Sequence, residues 1–145
     1  MTRSASPPAV PDRARRTSRS TVRVRYAETD KMGIVYYAHY LVWFEIGRTE
    51  WLRETGWTYR AMEEEGFGLP VIEAQCAYKM SARYDDELHI DTTARLVTPI
   101  RLAFDYRVER PADGQTIATG YTVHATIDRS GRPVRLPARV KELLA

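Results

Sequence analysis

The chain is poor in the residues on which much enzyme chemistry rests. It has one cysteine, Cys76, and only three histidines, His39, His89 and His124, in 145 residues. A single cysteine excludes an intramolecular disulfide framework and fits a reducing compartment such as the cytoplasm. It cannot build a zinc site either, and the histidines are too widely spaced for a His-Glu-x-x-His helix. None of the six serines lies in a Gly-x-Ser-x-Gly turn, and there is neither a Walker loop nor a Gly-x-Gly-x-x-Gly turn. The longest nearly apolar run, residues 33–44, is far short of the ~20 residues of a membrane span and contains His39. No internal repeat is present. The expectation is therefore no metal, no cofactor and no membrane span. Any chemistry must run on carboxylates, tyrosines and backbone amides.

The positive charge is unevenly placed. The whole chain carries +3, but residues 1–20 alone hold five arginines against Asp12, a local net of +4, so the remainder is slightly acidic. That first stretch, "MTRSASPPAVPDRARRTSRS", is rich in Ser, Pro and Arg and has no apolar segment of the kind a secretory signal carries. Its composition buries too little surface to offset the cost of ordering, which predicts a disordered tail over 1–20. Residues 21–145 then form one domain, long enough for one core. Because the domain itself is not basic, a nucleic-acid partner is not expected.

What is there in quantity is periodic apolar sequence. "TVRVRY" (21–26) alternates at the period of a half-buried strand. Tyr40, Phe44, Gly47 and Trp51 recur at spacings of four, three and four, which predicts one long helix over 36–55, closed by Gly56. Gly47 costs about 1 kcal/mol against Ala inside a helix, so a close approach to neighbouring backbone is expected there. A short helix over 59–65 stops at Gly66. After Leu69 the pattern is extended, with four strands at "PVIEAQCAYKM", "ELHIDTTARLVT", "IRLAFDYRVER" and "QTIATGYTVHATID". In the last, Ile117, Thr119, Tyr121, Val123, Ala125 and Ile127 are aligned on one side. "PADG" and "DRSG" supply tight turns, and Pro137 opens a short C-terminal helix. Short turns imply an antiparallel sheet, and a single very apolar helix implies an α+β domain whose sheet curls around it.

Asp30 stands apart in this pattern. It lies in the loop ahead of the long helix, with Gly33 giving the backbone room to turn. It precedes Tyr36 by six residues, too far for it to serve simply as that helix's N-cap. A carboxylate beside the free N–H groups of a helix start is the minimal apparatus for attack on a carbonyl, because those donors stabilise the oxyanion that forms. The bland alternatives are a local cap or a surface charge. His89 and Asp91 could share a strand face, and Glu45 with Arg48 forms an i,i+3 pair; ordinary surface roles account for both.

The run "DKMGIVYYAHY" (30–40), continued by "FEIGRTEWL" (44–52), resembles the signature of the 4-hydroxybenzoyl-CoA thioesterase-like acyl-CoA thioesterases. "GLPV" (68–71), "YDDEL" (84–88) and "HATIDRSGRPVRLP" (124–137) extend the likeness over about residues 21–140. The resemblance implies the hot-dog fold, a curved antiparallel sheet wrapped around one long central helix. It implies hydrolysis of an acyl-CoA, aromatic or aliphatic, to the free acid and coenzyme A, without a cofactor. By position Asp30 matches the catalytic aspartate, as nucleophile or general base, and Tyr37 the residue whose backbone N–H polarises the thioester carbonyl. A thiolate with a pKa near ~8.5 leaves without a general acid, so no histidine is required. Gly33, Val35, Tyr36, His39 and Leu69 fall at substrate-binding positions, and Trp43, Trp57 and Phe67 are further candidates to line an acyl pocket. Two positions depart from the pattern. His39 replaces a small polar residue, and the "VTPIR" turn (97–101) offers only Arg101 to hold the coenzyme A phosphates. The family's site lies between subunits, which implies a homodimer or homotetramer. Alternative readings are an acyl-thioester dehydratase or hydratase of the same fold, a non-catalytic acyl-CoA binder, and Glu45 as the working carboxylate.

Overall fold

A computed structural model of the chain describes residues 16–144. Strands β1 (Ser18–Arg23), β2 (Val71–Tyr78), β3 (Glu87–Thr98), β4 (Arg101–Arg110) and β5 (Gln115–Ala125) form one antiparallel sheet in the order β1-β3-β4-β5-β2. The helices are α1 (His39–Thr55), α2 (Tyr59–Glu64) and α3 (Ala138–Leu144). β3 coincides with the run that predicts it, and Gly56 closes α1 in the left-handed conformation with φ +85°.

Two expectations need correction. The ordered domain starts earlier than residue 21, because β1 begins at Ser18. Ser18 and Ser20 are buried against the sheet interior, and Arg19 grips Asp91 on β3 through two hydrogen bonds of 2.7 and 3.0 Å. Residues 1–15 of the expected tail lie outside the described residues. The second correction concerns the start of α1, at His39 rather than Tyr36. The Tyr36 amide is drawn to the Glu28 carbonyl (2.8 Å) and the Val35 amide to that of Ala82 (2.9 Å), so this stretch belongs to a hairpin and not to a helical turn.

The alternation along β5 does not itself decide which of its sides faces inward. Cross-strand partners fix it: Phe104, Tyr106 and Val108, all in the core, pair with Thr122, Gly120 and Ala118. The inward side of β5 is therefore small and polar, ending at His124 opposite Leu102. Tyr121 and Val123 lie on the outer side with Ala103. Ile117 alone of the aligned set reaches the main core, because a register shift between Val108 and Glu109 turns it inward. The physical cause is Phe44 of α1. Its ring stacks on Tyr106 at 4.2 Å and lies so near Gly120 that a Cβ there would come within 2.7 Å of it and collide with the Gln75 carbonyl.

The helix approaches the sheet equally closely at Gly47. A Cβ at that position would collide with Thr92 Oγ1 and come within 3.0 Å of Ile90 Cγ2, so the close approach is to side chains of β3 and not to backbone as expected. Phe44, Trp43, Trp51 and Leu52 are almost wholly buried. Each such side chain contributes about 1.5–3 kcal/mol relative to exposure. α1 packs chiefly on β1 and β3 and only lightly on β4. The inner surface of β5 and the edge strand β2 is thus left partly open alongside the helix.

Candidate active site

Residues 28–36 form a short hairpin ahead of α1. Thr29 and Val35 bridge, the Asp30 amide donates to the Ile34 carbonyl (2.8 Å), and the Gly33 amide returns to the Asp30 carbonyl (2.9 Å). Gly33 closes this turn at φ +79°, a conformation that disfavours side chains with a Cβ. Asp30 Oδ1 accepts the Met32 amide at 2.8 Å and the Ile34 amide at 3.4 Å. Asp30 therefore caps its own turn and not α1, whose N-cap Ala38 makes no side-chain capping bond. Oδ2 has no hydrogen bond or ion pair among the described residues. The carboxylate sits in an open depression with Tyr26, Ala27, Thr29, Lys31 and Gly33.

Tyr37 follows the hairpin. Its carbonyl accepts the Tyr78 hydroxyl at 3.0 Å, which ties the start of α1 to the end of edge strand β2. Desolvation, then the neighbouring Cys76, pushes the Tyr78 phenol up to about 12, so it remains a donor at neutral pH. Among the described residues the Tyr37 and Ala38 amides have no hydrogen-bond acceptor. Tyr36 is exposed, and its ring meets those of Tyr37 at 4.7 Å and His39 at 6.1 Å. Val35 is buried and anchors the hairpin, and the His39 ring makes no hydrogen bond among the described residues.

The remaining expected positions do not gather around Asp30. Leu69 is buried beside His124, at the opposite end of β2 from Tyr78. Arg101 starts β4 at the far end of the β3–β4 pair from Ala82 and Arg83, on which the hairpin rests. The length of β3, roughly 36 Å at 12 residues, lies between them. Within one chain Arg101 therefore does not lie beside Asp30. His89 and Asp91 do share a strand face, but Asp91 is engaged by Arg19 and His89 lies near Glu87 at 3.8 Å. Among the described residues no group of three or more His, Cys, Asp or Glu could hold a metal ion. No helix among them is long and apolar enough to cross a membrane.

A buried polar relay runs behind the groove between α1 and β2. Arg48, only 9% exposed, donates from Nε to the Tyr59 hydroxyl at 3.0 Å, and its charge acts on the nearby Tyr106 phenol. Tyr106 and Thr122 share a hydrogen bond of 2.6 Å, His124 Nε2 and Thr122 Oγ1 one of 2.8 Å, and His124 Nδ1 meets the Leu69 carbonyl at 2.8 Å. Burial, opposed by the Leu69 hydrogen bond and helped by the Arg48 charge, lowers the His124 pKa to about 4. The ring is therefore neutral, and its partners fix the proton order. Leu69 O can only accept, so Nδ1 carries the proton and Nε2 accepts from Thr122. Thr122 in turn accepts from Tyr106, whose phenol lies near the Arg48 charge. The pairing of Arg48 with Glu45 expected from their spacing is loose, at 3.8 Å. None of this relay is evident from the motifs. The period-two set Gly120, Thr122, His124 opposite an apolar face was the available signal.

A profile of the Thioesterase-like superfamily matches residues 24–144. The chain belongs to the Thioesterase-like superfamily. YneP of Bacillus subtilis is 34% identical over 119 residues, 81% of this chain and 86% of that protein. The acyl-CoA thioesterase YbgC of Haemophilus influenzae is 33% identical over 121 residues, 83% and 88% of the two chains. Among solved structures, DHNA-CoA thioesterase from Staphylococcus aureus superposes with a TM-score of 0.78 at 31% identity, over 83% of this chain and 80% of that one. The α+β architecture is the hot-dog fold, and this member of the superfamily is a thioester hydrolase.

Proposed function

We propose that the chain hydrolyses acyl-CoA thioesters, with Asp30 as the working carboxylate and the Tyr37 backbone amide as oxyanion donor. The observation that carries this is the division of labour in the Asp30 carboxylate: Oδ1 holds the turn while Oδ2 faces an open depression. The unpaired amides at the entry to α1 supply the second part. A thioester carbonyl placed between them gains stabilisation of its developing charge, and the thiolate departs unaided. Asp30 either attacks the carbonyl itself or deprotonates the attacking water; both routes use the same oxygen. No metal or redox group takes part. The YbgC relative and the S. aureus enzyme support acyl-CoA as the substrate class.

A homodimer formed through β2 completes this reading. β2 is an edge strand with Val71, Ile72 and Tyr78 exposed, and unpaired strand edges are natural sites for self-association. The dehydratase reading lacks its histidine: among the described residues no imidazole bonds Asp30. Release of free thiol from a panel of acyl-CoAs tests the function. Turnover of at least one member is expected, and complete inactivity of folded protein towards all would overturn it. Ile72→Lys, placed in the β2 bulge, should shift the protein to monomer in light scattering and lower turnover.

A further inference from the structure

We propose that the groove between α1 and β2 is the acyl channel of this enzyme and that Arg48, with Glu45, selects an acyl chain ending in a hydroxyl group. The inference rests on the acyl-CoA reading above and adds a substrate class to it.

The groove is one cavity lined by Leu41, Val42, Glu45, Arg48, Val71, Ala74 and Thr122. Ala38, Leu41, Glu45 and Arg48 recur at spacings of three, four and three, so they lie along one stripe of the helix surface. At one end of that stripe are the unpaired Tyr37 and Ala38 amides, where the thioester would lie. At the other is the Arg48 guanidinium, roughly 15 Å along the helix axis from Ala38. The walls between are apolar: Leu41 and Val42 on the helix, Val71 and Ala74 on the strand. An alkyl chain fits this middle section by chemistry, and its far end arrives at charge.

Arg48 is built for recognition rather than for pairing. Of its five N–H groups, Nε–H meets the Tyr59 hydroxyl, and the Tyr106 phenol lies near its charge. Glu45 at 3.8 Å is beyond hydrogen-bond reach, and Arg48 also lines an adjoining cavity with Tyr59, Thr49 and Leu69. No Arg48 nitrogen is both fully buried and without a partner, so its remaining donors reach the cavities it lines, where a ligand group can accept from them. The relay through Tyr106, Thr122 and His124 holds its orientation, since every donor in that chain is already committed. The neighbouring Glu45 decides the class of ligand. A carboxylate at the chain end would be attracted by Arg48 and repelled by Glu45. A hydroxyl accepts from the first and donates to the second, bridging the gap that separates them.

The test compares 10-hydroxydecanoyl-CoA, decanoyl-CoA and decanedioyl-CoA by thiol release. The hydroxylated substrate should have a kcat/KM roughly tenfold to a hundredfold above that of decanoyl-CoA, the range for a hydrogen bond to a charged group. Arg48→Met should bring that ratio close to one, and Arg48→Lys should restore part of it. A wild-type ratio near one, or a preference for the dicarboxylate, overturns the proposal while leaving the acyl-CoA reading intact. Inactivity towards every acyl-CoA, short or long, would instead defeat that reading. A crystal structure of the protein soaked with 10-hydroxydecanoate gives a readout independent of turnover and of the variants' folding. Its hydroxyl within hydrogen-bond distance of Arg48 supports the channel; the same molecule bound elsewhere overturns it.

Discussion

Met32 and Asp30 are joined by a 2.8 Å hydrogen bond from the Met32 amide to Oδ1, which commits one oxygen of the carboxylate to its own turn and leaves the other outward. Asparagine can reproduce the committed half, because its carbonyl oxygen accepts as Oδ1 does. Asp30→Asn should therefore keep its melting temperature within a few degrees while kcat towards the best acyl-CoA falls at least ~10²-fold. Turnover retained within a few-fold would make the carboxylate purely structural and move the chemistry to Glu45.

The Tyr37 position separates backbone from side chain. Tyr37→Phe should change kcat by less than a few-fold, since the proposed contribution is the amide. Tyr37→Pro deletes that donor, and the loss of one oxyanion donor costs ~10²–10³ in kcat. Equal damage from Phe and Pro in folded protein would transfer the role to the phenol.

Gly120 is a steric necessity. Alanine there drives a methyl group into the Gln75 carbonyl and the Phe44 ring. Backbone and a stacked aromatic cannot yield cheaply, so Gly120→Ala should cost about 1–3 kcal/mol, the usual range for overpacking. Urea denaturation measures it, and an unchanged midpoint would contradict the contact.

His124 predicts a pH signature. Its pKa falls from an ordinary 6.5 in the unfolded chain to about 4 in the folded one, so the unfolded state binds the extra proton first. The neutral-His contribution to stability is complete above pH 6.5, declines as pH drops towards 4, and levels off below. Its full size is roughly 3 kcal/mol. Unfolding midpoints between pH 7 and 4 should show this decline, and His124→Gln should flatten it; an identical slope in the variant would refute the assignment.

Truncation tests the revised boundary. Removing residues 1–15 should leave thioester hydrolysis near the full-length level. Removing 1–20 also deletes half of β1 and the Arg19–Asp91 ion pair, and should lower the melting temperature measurably. A chain lacking 1–20 that melts with the full-length protein would show β1 to be dispensable.

Much of the architecture was legible because it rests on local periodicity. β3, the buried stripe of Tyr40, Phe44, Gly47 and Trp51, and the stop at Gly56 all follow from spacing and from glycine chemistry. The start of α1 was not legible. The Tyr36 amide bonds Glu28 across a hairpin, and nothing in the apolar pattern records that competition. The inward side of β5 is hidden for a related reason. Its apolar alternation points outward, and only the volume of Phe44 from another element dictates small residues within. At the site, Asp30 and Gly33 could be singled out from sequence, whereas the Arg48–Tyr106–Thr122–His124 relay joins α1 to strands far along the chain.

The bond from the Tyr78 hydroxyl to the Tyr37 carbonyl couples two things usually kept apart. That carbonyl shares its planar peptide unit with the Ala38 amide, and Tyr78 belongs to the strand proposed to meet a second subunit. If that strand shifts when the subunits part, the shift reaches the amides through a single hydrogen bond. Specific activity should then fall on dilution, tracking the dissociation of the assembly, and recover when the protein is concentrated again.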